Sequence, residues 1–335
     1  MDFSTPFIAP DYVIESLTYP QKKGLSIELI AEKTQVDLHD LAHRTRAFSL
    51  SEVLRISRFC SEALNIPHYG LAVGSQVHLT CHGMASIAAM SQNTYVDCLK
   101  VACRLCDSIF PPLTMEYFET GKYIGIRILE TYSLGSYSRY LMEWIMASFR
   151  NIQIFLLGHD RHSRYIAFPY PRPVYWERYQ RYLGCEVYFD AEHAEFAVDR
   201  DIALAKLPLA DKSVAKIAES LIPKLSTFTA DDKLLMTVRA LIVKNLDSNP
   251  SIETIAEQLR LHPRTLRRKL DRHGTGFREL LNQMRVEVAK VQLVSTSKPI
   301  AEISATLGYT NSSLAKAFKK ITGLTPSAYR KENQA

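Results

Sequence analysis

The 335-residue sequence has no run of about 18 apolar residues, the length a membrane-spanning helix needs. Its most hydrophobic window, 140–158, is interrupted by Glu143, Arg150, Asn151 and Gln153, which predicts a buried helix and no membrane association. The opening MDFSTPFIAPDY lacks both a basic segment and a long apolar stretch, so no signal peptide is expected. The six cysteines follow no evenly spaced framework, which argues against a disulfide scaffold and for reduced thiols in a cytoplasmic protein. Cys103 and Cys106 have redox or zinc spacing, but no second pair follows. The surrounding LKVACRLCDSIF has the pattern of an amphipathic helix that uses cysteine as a small hydrophobe. There is no Ser-His-Asp set in recognisable context, no glycine loop for phosphate and no motif of paired carboxylates. Catalytic residues, a metal and a cofactor are therefore not expected, and the chain is not expected to be an enzyme. His39 and His43 have ligand spacing on an expected helix, yet no third ligand stands near them.

What is present is a folded composition, 47% hydrophobic and 23% charged, in a length that suits two domains. The charge is divided unevenly. Residues 249–335 hold 15 Lys and Arg against 7 Asp and Glu, a net of +8, whereas the whole chain is only +6 and residues 1–248 therefore −2. A basic tail domain on a near-neutral body is the footprint of a polyanion partner.

The body alternates between two periods. SIELIAEKTQVDLHDLAHR, SLSEVLRISRFCSEALN and residues 83–106 carry helical spacing of apolar residues, and 134–157 returns to it. MEYFETGKYIGIRILETY predicts a hairpin about Gly121, and YLGCEVYFD and AEFAVD predict short strands. Residues 1–210 are thus expected to form an α+β effector-binding or dimerisation domain. A helical linker is expected over 211–230, then an all-α DNA-binding domain over 231–335. Within the body, 36–50 mimics a helix-turn-helix but puts Asp37, His39 and Asp40 where a basic face would lie. The polar stretch 158–162 is a loop that either touches an effector or is simply solvated.

The basic domain carries the sharpest pattern. In SIETIAEQLRLHPRTLRRKLDRHG, Ser251 is a candidate N-cap, and Ile252, Ile255, Ala256 and Leu259 share one helix face. A break at 260–262 precedes Pro263 at the first position of a second helix. That helix buries Leu266 and Leu270 and presents Arg264, Arg267, Arg268 and Arg272. Two short helices with a cationic outer face make a helix-turn-helix whose second helix is sized for the major groove. One such face could be only solvated, but the pattern returns in KPIAEISATLGYTNSSLAKAFKKITG. There Leu314 and Phe318 point inward and Lys316, Lys319 and Lys320 outward. Between the units, 277–295 predicts a helix of about 28 Å at about 1.5 Å per residue, close to one turn of DNA at about 34 Å.

Residues from about 231 to 330 resemble the DNA-binding domain of the AraC/XylS regulators. The shared features are Ile255-Ala256, Leu266-x-Arg268-x-Leu270, Gly276, Arg285, Ala289, Ile300-x-x-Ile303, Gly308-Tyr309, Ala317-Phe318-Lys319 and the ending Gly323-Leu324-Thr325-Pro326-x-x-Tyr329-Arg330. By resemblance, base contacts fall on Arg264, Arg267 and Arg268 in the first unit and on Asn311, Ser312 and Lys316 in the second. The wider DNA-contacting set adds Arg272, Ser313, Lys319 and Lys320. The chain departs from the family where Arg260 takes the turn position usual for glycine, and His262 the place of a serine. The second turn is one residue shorter than usual between Gly308 and Leu314, and Lys316 replaces an arginine. The body is similar, more distantly, to the N-terminal domain of a subgroup that includes OruR-like and VqsM-like regulators. The resemblance implies a sequence-specific, ligand-responsive activator of transcription with partners that include promoter DNA, RNA polymerase, a small-molecule effector and a second copy of itself. The alternative is an effector-independent regulator whose body serves only oligomerisation or partner binding.

Overall fold

The computed structural model describes residues 6–39, 41–44, 46–110, 113–130, 134, 137–158, 163–225, 230–296 and 298–333. The chain divides into two compact units, one from residues 3–130 and 137–227, the other built on residues 228–335.

The first unit is α+β. It runs β1 (Pro6–Ile8), α1 (Pro10–Lys22), α2 (Ile27–Thr34), β2 (Phe48–Ser49), α3 (Leu50–Ala63), α4 (Tyr69–Gly74), α5 (Met84–Met90) and α6 (Tyr95–Ile109). The hairpin β3 (Leu113–Glu119) and β4 (Tyr123–Glu130) follows, then α7 (Tyr137–Leu157), β5 (Tyr165–Ala167), α8 (Glu177–Leu183), β6 (Glu186–Tyr188), β7 (Ala194–Asp199), α9 (Arg200–Ala203) and α10 (Lys212–Leu225). Strands β3-β4-β7-β5-β6 lie side by side in that order, antiparallel except for the β5–β6 pair. Alternation puts Ile124, Ile126 and Ile128 of β4 into the core from one face.

The predicted hairpin is present in register, Tyr117 opposite Ile126. The segment YLGCEVYFD divides differently from expectation: Tyr182 and Leu183 end α8, Gly184 turns left-handed, and only Glu186–Tyr188 is strand. The helix expected to hold His39 and His43 is absent. After α2, Gln35 turns left-handed, and His43 closes a 3-10 turn, Leu41–His43. The helix-turn-helix mimic over 36–50 therefore has no second helix. No group of three or more His, Cys, Asp or Glu placed to hold a metal occurs among the described residues. Residues 159–162 of the polar loop lie outside the described residues. No helix is long and apolar enough to cross a membrane among those described.

Helix α7 is the axis of this unit, and its four polar interruptions all find partners. Glu143 accepts from the Tyr175 and Tyr179 hydroxyls at 2.8 and 2.5 Å, and burial pushes its carboxyl up to about 7. Arg150 donates to the Leu183 carbonyl at 3.0 Å, and Asn151 donates to the Val77 carbonyl at 2.6 Å. Gln153 accepts from Ser163 at 2.6 Å. Helix α4 packs onto α7 through Gly70 and Gly74, where a Cβ would collide with the Tyr140 and Trp144 carbonyls. The stretch expected as a linker contains α10, which packs on α5. Asp211 N–H donates to the Ser91 carbonyl at 2.9 Å, and Gln92 donates to Glu219 at 2.9 Å.

The second unit is all-helical: α11 (Ala230–Lys244), α12 (Ile252–Gln258), α13 (Pro263–Arg272), α14 (Phe277–Ser295), α15 (Ile300–Thr306), α16 (Asn311–Thr322) and α17 (Pro326–Asn333). One hydrophobic cluster joins all but the last, with Val238, Ile255, Leu266, Met284, Ile303 and Phe318 fully buried, and Tyr329 of α17 packs against it.

Candidate nucleic-acid interface

Each recognition helix is aimed by a short local construction, and the construction occurs twice with a constant offset. Ile252 and Ile300, Leu259 and Leu307, and Leu266 and Leu314 each stand 48 residues apart. Helix α12 starts on Ser251, whose hydroxyl accepts from the Thr254 N–H at 3.2 Å, and buries Ile252, Ile255 and Ala256. Its end is a Schellman turn: Leu261 N–H reaches the Ala256 carbonyl at 2.8 Å and Arg260 N–H the Glu257 carbonyl at 2.9 Å. Arg260 is left-handed at φ 53°. Helix α15 ends the same way, Tyr309 N–H on Ser304 at 2.8 Å and Gly308 N–H on Ala305 at 3.0 Å, with Gly308 at φ 68°.

Two residues after each turn comes the cap of the recognition helix. His262 takes the place of the usual serine, its ring Nδ1 accepting from the Arg264 N–H at 3.2 Å, and Pro263 opens the helix where no N–H is needed. Thr310 does the same for α16, accepting from the Ser313 N–H at 3.2 Å. Within this chain the two turns are equally long: Gly308 precedes Leu314 by as many positions as Arg260 precedes Leu266.

Helix α13 buries Leu266 and Leu270 and exposes Arg264, Arg267, Arg268 and Arg272. Helix α16 buries Leu314 and Phe318 and exposes Asn311, Ser312, Lys316, Lys319 and Lys320. Ser313 differs from the rest of the expected set: it is half-buried and its hydroxyl donates to the Thr310 carbonyl at 2.9 Å. The described ion pairs Lys290–Glu287 and Lys298–Glu302 lie off both helices.

Helix α14, 19 residues long as predicted, ties the units together. Its buried Arg285 donates to the Asn249 side chain ahead of α12, stacks over the Tyr309 ring at 5.0 Å, and presses on Gly308, where a Cβ would meet its Nη2 at 3.0 Å. Tyr309 in turn donates to Asn282 of α14 at 2.6 Å. At the far end, Arg330 of α17 donates to the Leu293 carbonyl in the last turn of α14 at 3.1 Å and to the Lys298 carbonyl in the connection to α15 at 2.6 Å, so its cation also sits at the negative end of α14. The family features Arg285, Gly308-Tyr309 and Tyr329-Arg330 are therefore clamps within the unit, not part of its outer face.

The first unit contains a cavity of about 170 Å³ between α1, α3, α5, α6 and α7. Its lining residues carry no sequence motif, because each helix contributes only two to seven of them at ordinary core spacing. Tyr12 and His82 meet across it, hydroxyl to Nδ1, at 2.7 Å.

Residues 24–207, more than half of the chain, match the family described as the arabinose-binding domain of AraC transcription regulators, and residues 255–332 match a helix-turn-helix domain. The chain is 24% identical over 332 residues to the ornithine utilization regulator of Pseudomonas aeruginosa, covering 98% of both. It is 26% identical over 297 residues to the HTH-type transcriptional regulator VirS of Mycobacterium tuberculosis, covering 87% of this chain and 86% of VirS. The crystal structure of the regulator CdpR from Pseudomonas aeruginosa aligns with 82% of this chain and 91% of its own, at 22% identity and a TM-score of 0.41. With two capped recognition helices on one basic unit and a matching domain ahead of them, the chain belongs to the AraC family of DNA-binding transcription regulators.

Proposed function

We propose that this regulator is a ligand-responsive switch that sets α13 and α16 into successive major grooves of promoter DNA. The observation that carries it is the repeated turn and cap, which offers two cationic helices from one rigid core. Arg264, Arg267 and Arg268 are the candidates for base edges in the first groove, since arginine bonds guanine in a forked way. Asn311, Ser312 and Lys316 are their counterparts in the second, with Arg272, Lys319 and Lys320 on phosphate. Ser313, half-buried with its hydroxyl proton on the Thr310 carbonyl, completes the proposed set at its edge. The cavity in the body favours effector sensing over a purely oligomeric role. Activation fits the name of one relative, the HTH-type transcriptional activator CsvR, and RNA polymerase is the partner through which this reading has it act. A cytoplasmic site of action and a homodimer complete the reading.

The test is footprinting of the full chain on the promoter regions beside its own gene, against random competitor. Two protected major-groove segments about 10 base pairs apart are expected. Protection of a single segment would leave one helix without a role in reading, and no competitor-resistant protection anywhere would remove the proposal's basis.

A further inference from the structure

The chemistry of the body cavity restricts what it can hold. None of the described residues around it is Asp, Glu, Lys or Arg. Leu99, Leu105, Phe110, Leu141 and Ile145 form much of its wall. The hydroxyls of Ser16, Ser86 and Ser148 already donate to the backbone carbonyls of Tyr12, Leu79 and Trp144, so they have no proton left for a guest. His82 is kept neutral, since burial pushes its imidazole down to about 4. The Tyr12 hydroxyl and His82 Nδ1 occupy each other in one hydrogen bond.

A sugar brings a hydroxyl on nearly every carbon, and each one buried without a partner forfeits its hydration with nothing in return. A charged amino acid fares worse, since nothing here neutralises it. What the wall does offer is sparse. Tyr95, 1% exposed, keeps a buried hydroxyl with no hydrogen-bond partner among the described residues, and Trp144 keeps a buried indole N–H in the same condition. Both residues line the cavity. An apolar cavity on the order of 150 Å³ stays dry and accepts a benzene-sized guest.

We infer that this cavity binds a neutral, mainly apolar molecule about the size of one substituted aromatic ring, carrying a single hydrogen-bonding group, as an alkylphenol does. The inference rests on the sensing role proposed above, but concerns the class of ligand, and the two fail separately.

The probe is p-cresol, titrated into the full chain by calorimetry, with L-arabinose and L-lysine as controls. Binding of p-cresol at least 100-fold tighter than either control is expected. In a Trp176→Phe variant the remaining indole N–H resonance belongs to Trp144, and it should move as p-cresol is added. Ala102→Phe puts a ring into the space and should abolish the heat; should that variant not fold, the Trp144 resonance decides alone. No p-cresol binding at millimolar concentration overturns the inference, as does tighter binding of L-arabinose or L-lysine, or p-cresol binding that leaves Trp144 unmoved. A gel shift with and without p-cresol tests the other reading. Cavity binding with unchanged affinity for DNA upholds the ligand class and removes the sensing role.

Discussion

The two helix-turn-helix units share one backbone and differ in what occupies it. Both first helices end in the same pair of turn hydrogen bonds, yet the left-handed residue is Arg260 in one and Gly308 in the other. The φ value alone does not demand glycine, since Arg260 adopts it with its side chain in solvent. Gly308 is different because Arg285 lies against it, leaving little room for a Cβ. A glycine at a helix end can thus answer to a neighbour as well as to the backbone. The recognition helices diverge as well: Arg268 of α13 has Lys316 as its counterpart in α16, and Arg264 has Ser312. A forked donor gives way to a point charge and a hydroxyl, so the proposed base contacts of the first unit are the better equipped for bidentate reading.

Several substitutions probe this asymmetry. The largest effect is expected from Gly308→Val, which adds a β-branched side chain to a left-handed residue beneath Arg285. It should cost about 3 kcal/mol of stability by denaturant unfolding. A loss under about 1 kcal/mol would mean that Arg285 yields freely and that the glycine answers only to φ. Next comes Arg268→Ala, expected to lower affinity for the specific site by about 1–3 kcal/mol while changing affinity for random DNA far less. Lys316→Ala should also lower affinity for the specific site more than for random DNA, but by less than Arg268→Ala, since its ammonium bonds a base edge at a single point. If the two variants behave identically, the contrast between the forked and the single-point donor is wrong. Smaller still, His262→Ala and Thr310→Ala should each cost about 1 kcal/mol as lost caps. A silent His262→Ala would show that the imidazole contributes nothing as an acceptor. The smallest effect has the opposite sign: Arg260→Gly should raise stability by up to about 1 kcal/mol, because it relieves a left-handed arginine.

Much of the second unit was legible because its signals are local. Ser251, Pro263 and the spacing of Leu266 and Leu270 act within one turn of their own positions, and so does the 19-residue stripe of α14. Ser313 shows what the sequence left out at the same scale: its place in the first turn was readable, but not that its hydroxyl donates to the neighbouring Thr310 carbonyl. Arg285 was visible only as a family feature. Its partners, Asn249 and Tyr309, lie on either side at distances in the chain that no local pattern encodes. In the body the hairpin was readable from alternation, whereas α8 was not, since Tyr182 and Leu183 read equally well as strand. The polar residues of α7 marked it as unsuited to a membrane, but their partners at Val77, Ser163, Tyr175, Tyr179 and Leu183 are set by tertiary packing. The cavity is an extreme case of this, a space enclosed by helices each of which looks, taken singly, like ordinary core.

On the proposed two-groove reading, the hydrophobic cluster that runs from Ile255 to Phe318 also bears on how such a protein searches for its site. When one recognition helix is seated, the other is not a tethered body sampling a volume. Its effective concentration at the neighbouring groove is fixed by geometry instead of by chain statistics. An extra base pair between the two half-sites cannot be taken up by slack in the protein and must be met by twisting the DNA. The spacing of an operator then becomes as much a part of the recognised signal as its letters.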